Sequence, residues 1–509
     1  MRARRADNGS RKKELQEDAF MAAKPNVLWI CSDQQRRDTL GCYGNRFVHT
    51  PNIDALAADG VRLSRAYVQS PVCAPSRASF LSGRYPRTCG VRQNGQDIPE
   101  TEYLLPRLFA DNGYVCGLSG KLHISTCHPS VCPDIERRID DGYSFFAWSH
   151  HPAKAGGGNW KCNDYTNWLT AQGVEYKTPP LPECKYVNQG MPGELSQTTW
   201  CFNEAMRFID QQSPDQPWLF SINCYDPHHP FDPPKEYLDR YLPILDQIPL
   251  PEYVKGEFNE KPIFQRYDHE GAYNSKGNYP YDEMTDTDHR YITAAYWAMV
   301  DQIDHNVGRI VEHLKQIGQY ENTIIIYTSD HGESLGDHGI YLKGPYCYES
   351  AVHVPFIVHW GGHTLHGVTR DALVEMIDIA PTLCEAAGIP APASFQGRSF
   401  LSLVTDEHCA DHFRDSVYAE FYNSNINHRN PKAFLTMVCD GRWKLTKVHA
   451  PDGEADRGGE LYDLQSDPNE HHNLYGNPAY AAEQTRMMAL LLDKMAQTAD
   501  PLPTRRAFW

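Results

Sequence analysis

The chain has 509 residues, of which 41% are hydrophobic and 22% charged, as in an ordinary globular protein. Its formal net charge of -17 argues against a basic surface for nucleic acid, so we expect no nucleic-acid partner. An anionic ligand is not excluded, because a metal ion and a few local cations can dominate the charge of a pocket. At this length we expect one large domain with an appended subdomain.

The N-terminal residues 1–20 are basic and then mixed in charge, without an apolar run. They predict neither a secretory signal nor a membrane span, and we interpret them as a disordered extension. The 15 cysteines include no Cys-x-x-Cys pair, and an odd number cannot all pair within the chain. We therefore expect mainly reduced thiols and a cytoplasmic protein with no membrane partner.

Four apolar runs predict buried strands, and polar residues follow each of them. The runs begin at Asn26, Val115, Trp218 and Thr323. The residues that follow are, in the same order, Asp33-Gln34, Lys121 with His123, His228, and Asp330-His331. In open α/β sheets ligands bind at the carboxyl ends of the strands, so these residues are candidates for a ligand site.

Other elements alternate with these strands up to about residue 400. We predict a strand from Val61 to Tyr67 and a long helix from about Asp288 to Gly318, where apolar residues form one stripe. Residues 125–200 and 240–285 show little periodicity and predict long irregular insertions. Within the first insertion we interpret His150, His151, Trp160 and Lys161 as a solvated loop rather than as ligand contacts.

The segment from Pro71 to Arg84 contains a cysteine, two prolines and the start of a helix. The prolines disfavour a helix before Arg77, whereas residues 78–81 favour one that Gly83 ends. A side chain at such a helix start lies where backbone N–H groups favour an anion. Taken alone, Cys73 is more readily interpreted as a buried structural thiol.

The pattern Cys-x-Pro-Ser-Arg-x-x-x-Leu-x-Gly-Arg over residues 73–84 resembles the maturation signature of type I sulfatases. In that family a separate formylglycine-generating enzyme oxidises the cysteine to formylglycine, an aldehyde that hydrates to a geminal diol. Further segments that resemble the family, in the family's order, are Pro51–Asp54, Gly120–His123, Pro227–Pro230, Ser329–Gly332, Lys343 and Glu460–Leu464. The resemblance to the sulfatase branch of the alkaline phosphatase superfamily thus covers nearly the whole chain.

This resemblance implies an α/β fold, namely an alkaline phosphatase-like sandwich. Residues 21–400 would form the catalytic domain, with a large, mostly parallel central sheet flanked by helices. Residues 401–509 would form a small C-terminal α+β subdomain, where short strands and turns predict an antiparallel sheet and a final helix around residues 481–498.

The resemblance also implies a site for one divalent metal ion. Residues at the family's ligand positions are Asp33, Gln34, Cys73, Asp330 and His331. Most sulfatases carry two acidic residues where this chain has Asp33-Gln34. Two carboxylates with an imidazole nitrogen suit Mn²⁺ or another transition metal better than an all-oxygen site would, so Ca²⁺ and Mn²⁺ both stay open.

The mechanism implied by the resemblance is covalent. One hydroxyl of hydrated formylglycine at position 73 attacks the sulfur, and His228 gives a proton to the departing alcohol. His123 then takes the proton from the remaining hydroxyl as sulfate leaves. The same resemblance assigns stabilisation of the diol to Arg77 and Lys121, and substrate-oxygen binding to Lys343 and Asn94. The family pattern Pro-His-x-Pro selects His228 over His229.

We therefore predict a formylglycine-dependent sulfatase that hydrolyses an aryl, alkyl or sugar sulfate monoester. Asp33-Gln34 and Gln93-Asn94 also resemble phosphonate monoester hydrolases, so a phosphonate monoester or phosphodiester hydrolase is the nearest alternative. A binder of sulfated ligands with unmodified Cys73 is an alternative of another class, although it has no need of proton-transfer groups. Expected partners are a small-molecule or saccharide sulfate ester and the formylglycine-generating enzyme; an oligomer stays possible.

Overall fold

The computed structural model describes residues 24–151, 160–423, 432–449 and 458–503. The predicted N-terminal extension, residues 1–20, lies outside the described residues. Within the described ranges, no helix is both long and apolar enough to cross a membrane. All fifteen cysteines lie in the described ranges and are free thiols, as the sequence predicts.

A nine-stranded sheet forms the centre of the molecule. Its strands are β1 (Asn26–Ser32), β2 (Val61–Tyr67), β3 (Val115–Gly120), β4 (Phe145–Trp148), β5 (Trp218–Asn223), β6 (Thr323–Ser329), β7 (His353–Val354), β8 (Phe356–Trp360) and β9 (Val368–Glu375). The strand order is β4-β3-β5-β1-β6-β8-β2-β7, and β9 pairs with β2. Only the pairings of β6 with β8, β2 with β8 and β2 with β7 are antiparallel in the described sheet. The predicted large, mostly parallel sheet is confirmed.

Helices cover both faces of this sheet. The α-helices of the described residues are α1 (Pro51–Ala58), α2 (Cys73–Ser82), α3 (Pro86–Cys89), α4 (Leu105–Asp111), α5 (Asp164–Ala171), α6 (Gln197–Ile209), α7 (Lys235–Leu238), α8 (Ile263–Glu270), α9 (Asp286–Gln316), α10 (Glu349–Val352), α11 (Ile379–Ala386), α12 (Leu401–Thr405) and α13 (Ala481–Gln497). Apolar side chains of α1, α6 and α9 pack on one face with Leu28 and Ile30 of β1. Those of α2, α4 and α11 pack on the other with Val27 and Trp29, so each face has its own core.

The four strands that were predicted to precede polar residues are neighbours. β3, β5, β1 and β6 lie side by side and are parallel throughout. Because parallel strands end at the same edge of a sheet, Lys121, His228, Asp33 and Asp330 all follow strand ends at one edge.

The long helix α9 begins with a capping box. The Thr285 side chain accepts from the backbone N–H of Asp288, and the Asp288 side chain accepts from the backbone N–H of Thr285. This arrangement satisfies two N–H groups at the helix start. The helix begins two residues before the predicted Asp288 and ends at Gln316, just before the predicted Gly318.

Three sequence-based expectations need correction. Helix α2 begins at Cys73 rather than after Arg77, because Pro75 lies in the first turn, where a helix residue needs no N–H. The predicted irregular insertions contain β4, α5 and α8, which are too brief to show periodicity. Strand β9 was not predicted, since its first half is partly exposed and only its second half is buried.

The C-terminal region forms a second, antiparallel sheet. Its strands, in spatial order, are β10 (Val417–Tyr422), β11 (Phe434–Cys439), β12 (Trp443–His449) and β13 (Gly459–Asp463). Met487 and Leu491 of α13 pack against Val438, Leu445 and Leu461 of this sheet. The small antiparallel sheet and the final helix are confirmed, while the boundary near residue 400 stays a prediction.

Candidate active site

Cys73 lies among the side chains that follow the ends of β1, β3, β5 and β6, here called the strand-end cluster. It is the first residue of α2 and is 2% exposed. Its Sγ lies 3.1 Å from His331 Nε2 and 3.0 Å from Lys343 Nζ. The Asp33 Oδ1 atom lies 3.8 Å away. The side chain at position 73 therefore contacts groups that follow both β1 and β6.

Four residues next to one another could hold a cation. Ligand atoms of Asp33, Cys73, Asp330 and His331 all lie within 4.8 Å of one another, and all four residues are buried. His331 Nδ1 lies 2.8 Å from the carbonyl oxygen of Gly332 and donates to it, so Nε2 is the nitrogen that faces Cys73. Carboxylates with an imidazole nitrogen are a donor set that divalent metals accept.

The Gln34 side chain lies beside this group and has two partners. Its Oε1 accepts from Lys343 Nζ at 2.6 Å, and its Nε2 donates to the Glu333 carboxylate. Glu333 also accepts from the backbone N–H groups of Leu335 and Leu342. Because three donors converge on Glu333, the Gln34 amide must turn its N–H₂ toward Glu333 and its oxygen toward Lys343.

Glu333 is a residue that the sequence analysis missed. It is buried and lies two positions after His331, directly after the segment Ser-Asp-His-Gly. A further acidic residue directly after that pattern was the available signal. Its contact with Gln34 depends on the meeting of β1 and β6 and could not be read from spacing.

Arg77 and Lys121 surround the carboxylates. Arg77 is fully buried, donates from Nε to Asp330 at 2.8 Å and from a terminal nitrogen to Asp33 at 3.3 Å, and also donates to the carbonyl oxygen of Lys121. Lys121 Nζ donates to Asp33 Oδ2 at 2.5 Å. The preceding Gly120 has φ 92°, and a Cβ there would lie 2.1 Å from the Asn223 carbonyl oxygen. Glycine is thus required in the turn that brings Lys121 to the site.

These charges act strongly on Cys73 and Asp33. Burial and Asp33 oppose ionisation of the Cys73 thiol, but Lys121, Lys343 and His331 outweigh them and lower its pKa to about 5. Burial raises the pKa of Asp33, yet Lys121 and Arg77 more than offset this and hold the pKa well below its usual value. The site therefore stabilises negative charge on the side chain at position 73.

His228 is hydrogen-bonded to Lys343. The Lys343 ammonium donates to His228 Nε2 at 2.8 Å, and His228 Nδ1 donates to the carbonyl oxygen of His229 at 2.5 Å. Burial, Lys343 and His229 lower the pKa of His228 well below its usual value. The His229 ring stacks on His228 at 4.1 Å between centroids, so it lies behind the residue that the family pattern selected.

His123 and Asn94 lie at the margins of the cluster. His123 is buried, and burial, Lys121 and Arg77 lower its pKa well below the usual value. Asn94 Oδ1 accepts from the backbone N–H of Ala74 at 3.0 Å, which places it beside Cys73 at the start of α2. Around the predicted nucleophile Cys73, the structure thus brings together two sets of predicted side chains. They are the metal ligands Asp33, Gln34, Asp330 and His331 and the positively charged residues Arg77, Lys121 and Lys343.

Three residues of the first insertion that were expected in a solvated loop, His150, His151 and Trp160, pack against other rings instead. Trp160 is 7% exposed and packs edge-on against His150, whose ring lies 4.4 Å from that of His123. His151 packs on Tyr225 at 4.5 Å. The Lys161 side chain is 74% exposed, as expected. Aromatic and imidazole rings therefore flank the two candidate proton-transfer histidines.

The family model described as Sulfatase matches residues 25–389. The chain belongs to the sulfatase family. A second family model, described as N-sulphoglucosamine sulphohydrolase, C-terminal, matches residues 336–497 of this sulfatase and so includes its antiparallel sheet.

Relatives of this sulfatase match it over nearly its full length. It is 30% identical over 489 residues to an arylsulfatase of Clostridium perfringens, covering 93% of this chain and 94% of that protein. It is 24% identical over 532 residues to an N-acetylglucosamine-6-O-sulfatase of Bacteroides thetaiotaomicron, covering 95% of this chain and 88% of that protein. The solved structure of a phosphonate monoester hydrolase from Silicibacter pomeroyi superimposes with a TM-score of 0.80 at 25% identity, covering 94% of this chain and 96% of that chain. The predicted family and the alkaline phosphatase-like fold are confirmed.

Proposed function

We propose that this sulfatase hydrolyses sulfate monoesters with the side chain at position 73 as nucleophile, after conversion of Cys73 to formylglycine. The observation that carries the proposal is the set of contacts around the buried Cys73, which has Lys343 and His331 within 3.1 Å. A sulfate monoester brings dense negative charge, and Arg77, Lys121 and Lys343 are the cations that can balance it. Formylglycine supplies an aldehyde whose hydrate presents two hydroxyl groups to this surface.

A divalent metal fits the chemistry of the donor set. Asp33, Asp330, His331 and the side chain at position 73 would hold it, with Gln34 Oε1 as a further oxygen ligand. A bound cation would supply positive charge that stabilises the sulfuryl oxygens and the ionised nucleophile. The imidazole nitrogen favours Mn²⁺ over Ca²⁺. Elemental analysis of protein purified without chelators checks this assignment.

The two buried histidines carry opposite proton-transfer roles in this proposal. His228 Nε2 faces Lys343, since Nδ1 is engaged by the His229 carbonyl oxygen, so Nε2 is the atom that would deliver a proton to the departing alcohol. Burial and Lys343 lower the pKa of His228 and keep it neutral in the free enzyme, so it would take up this proton as the anionic ester binds beside it. His123 has a lowered pKa, which keeps its imidazole neutral and able to accept a proton as sulfate is released.

The leaving group is proposed to contain a ring. His150, Trp160, His151 and Tyr225 place flat side chains beside His123 and His228. Such surfaces pack well against an aryl group or a sugar ring. The names of the relatives include an arylsulfatase and an N-acetylglucosamine-6-O-sulfatase, which supports testing aryl and saccharide sulfates first.

Phosphonate monoester hydrolysis is the second candidate. By the resemblance to the family, Gln34 stands where most sulfatases have an acidic residue, and the likeness to the Silicibacter pomeroyi hydrolase extends over nearly the whole chain. The match of the Sulfatase model and of the named sulfatases favours the sulfate ester. The cytoplasmic location and the formylglycine-generating enzyme as maturation partner remain parts of the proposal.

The deciding experiment compares kcat/KM for an aryl sulfate and an aryl phosphonate monoester. The protein is co-expressed with a formylglycine-generating enzyme, conversion of Cys73 is verified by mass spectrometry, and Cys73→Ala is the blank. A preference for the sulfate is the expected result. A preference for the phosphonate would replace the proposal with the second candidate, and equal turnover by Cys73→Ala would remove position 73 as the nucleophile.

A further inference from the structure

We propose that Glu136 is a positioning residue for His123. The inference rests on the proposed function, because it concerns how the proposed proton acceptor is held in place. Glu136 lies in the loop between β3 and β4, 13 residues after His123, and is 1% exposed. No residue pattern in the sequence marked it as part of the site.

One carboxylate receives several consecutive backbone N–H groups. Glu136 Oε2 accepts from the backbone N–H of His123 at 2.8 Å. Its Oε1 accepts from the backbone N–H groups of Ile124 at 2.6 Å and Ser125 at 2.9 Å. The Trp148 indole N–H lies 3.4 Å from Oε2 and is a further donor. Three successive N–H groups that point at one acceptor form a concave anion-binding turn, and here a side chain of the same chain fills it.

The His123 backbone needs this support. Its φ is 52°, in the left-handed region that residues with a Cβ avoid unless the surroundings hold them there. If the carboxylate were removed, three buried N–H groups would lose their acceptor, and the backbone would be free to leave this conformation. Since the side chain follows the backbone, a change in φ at His123 would move its imidazole.

Hydrogen bonds of the imidazole itself supply little of the positioning. His123 Nδ1 is buried and has no hydrogen-bond partner among the described residues. The ring packs edge-on against His150, with 4.4 Å between centroids. The placement of the His123 nitrogens therefore depends on this packing and on the backbone turn that Glu136 holds.

Two substitutions and one matched control test the proposal. Glu136→Ala removes the acceptor, whereas Glu136→Gln keeps the size and one acceptor oxygen and is the variant expected to remain folded. The control is Asp304→Asn, because Asp304 is another buried carboxylate that accepts from two consecutive backbone N–H groups, those of Asn52 and Ile53. The control variant thus also alters a buried carboxylate that accepts from backbone N–H groups, but it does so at the start of α1, away from His123.

The first measurement does not require turnover. Amide hydrogen exchange, followed by mass spectrometry on protein with unconverted Cys73, reports the protection of residues 123–125. We expect exchange there to be at least about tenfold faster in Glu136→Gln, because one of the two oxygens that accept these N–H groups is replaced by an amide N–H₂ that cannot accept. Asp304→Asn should leave that peptide unchanged and alter the peptide that contains Asn52 and Ile53.

The second measurement separates the two halves of the reaction. Converted enzyme is mixed with an aryl sulfate and quenched during the first turnover, and aryl alcohol and inorganic sulfate are measured separately. Because His123 is proposed to act only when sulfate is released, Glu136→Gln should release aryl alcohol at close to the normal rate and sulfate about tenfold or more slowly. His123→Ala should show the same lag to a larger degree.

The results of the two measurements distinguish failure of the positioning role from failure of the proposed function. Unchanged exchange at residues 123–125 in Glu136→Ala or Glu136→Gln would overturn the positioning role. An equal slowing of alcohol and sulfate release, as a general structural defect would produce, would also overturn it. If converted wild-type enzyme releases no aryl alcohol from the sulfate ester, the proposed function fails, and with it the catalytic meaning of this contact.

Discussion

Replacement of Lys343 by methionine should move the pH dependence of the reaction in a defined direction. The ammonium lies 2.8 Å from His228 Nε2 and is one of the causes that lower the pKa of His228. Methionine is similar in length but uncharged, so the imidazolium form of His228 would lose a repulsive neighbour. The pKa of His228 should therefore rise.

The size of the shift follows from the distance. The imidazolium charge is spread over the ring, so its centre lies about 4 Å from Nζ, and two unit charges at that distance interact by about 4 kcal/mol at an effective dielectric constant of about 20. One pKa unit corresponds to about 1.4 kcal/mol. Water that enters in place of the ammonium offsets part of the interaction, so we expect a rise of about one to two units.

The assay is the pH profile of kcat/KM for an aryl sulfate, which reports ionisations of the free enzyme. If His228 must be protonated to act as the acid, activity falls as pH rises through its pKa, and the alkaline limb should move to higher pH in Lys343→Met. The overall rate should fall about 100-fold to 1,000-fold, because a cation next to the sulfate is lost.

A second buried lysine provides the control. Lys261 contacts Glu257 and His338 rather than Cys73. Lys261→Met should therefore leave the alkaline limb where it is, even if it lowers stability. An alkaline limb that stays in place or moves to lower pH in Lys343→Met would refute the assignment of His228 as the acid under the influence of Lys343.

Three further predictions concern the nucleophile, the metal and the fold. Cys73→Ala should abolish turnover and lower the free energy of unfolding by no more than about 1–2 kcal/mol, since only a thiol leaves the core; circular dichroism and thermal unfolding check this, and retained turnover would contradict it. Glu333→Gln should weaken metal binding about tenfold or more, because its one remaining oxygen stays with the backbone N–H groups of Leu335 and Leu342 and Gln34 Nε2 loses its acceptor; calorimetric titration with Mn²⁺ measures this, and an unchanged Kd would count against Gln34 as a ligand. Thr285→Ala should lower the free energy of unfolding by about 1 kcal/mol through loss of the α9 cap, with kcat/KM unchanged; the urea midpoint checks this, and an unchanged midpoint would show that the cap contributes little.

The strands that lead to the site were determined by local sequence. β1, β3, β5 and β6 are short apolar runs buried on both faces, and such runs are recognisable without tertiary information. The long helix α9 was equally recognisable, because its apolar stripe extends over many turns. The residues of the Cys73 segment predicted the family, because its several specified positions leave little room for chance.

Which residues meet was decided by the order of the strands in the sheet. β1 begins the described chain, yet it lies between β5 and β6, so the backbone N–H of Gln34 meets the Asp330 carboxylate across a separation of 296 residues. That arrangement results from burying two sheet faces at once and has no signature in local spacing. The orientation of Gln34 by Glu333 and the turn that Glu136 holds at His123 depend on the same long-range packing. The sequence by itself therefore determined the elements and the family, whereas the tertiary structure decided the partners of each active-site side chain.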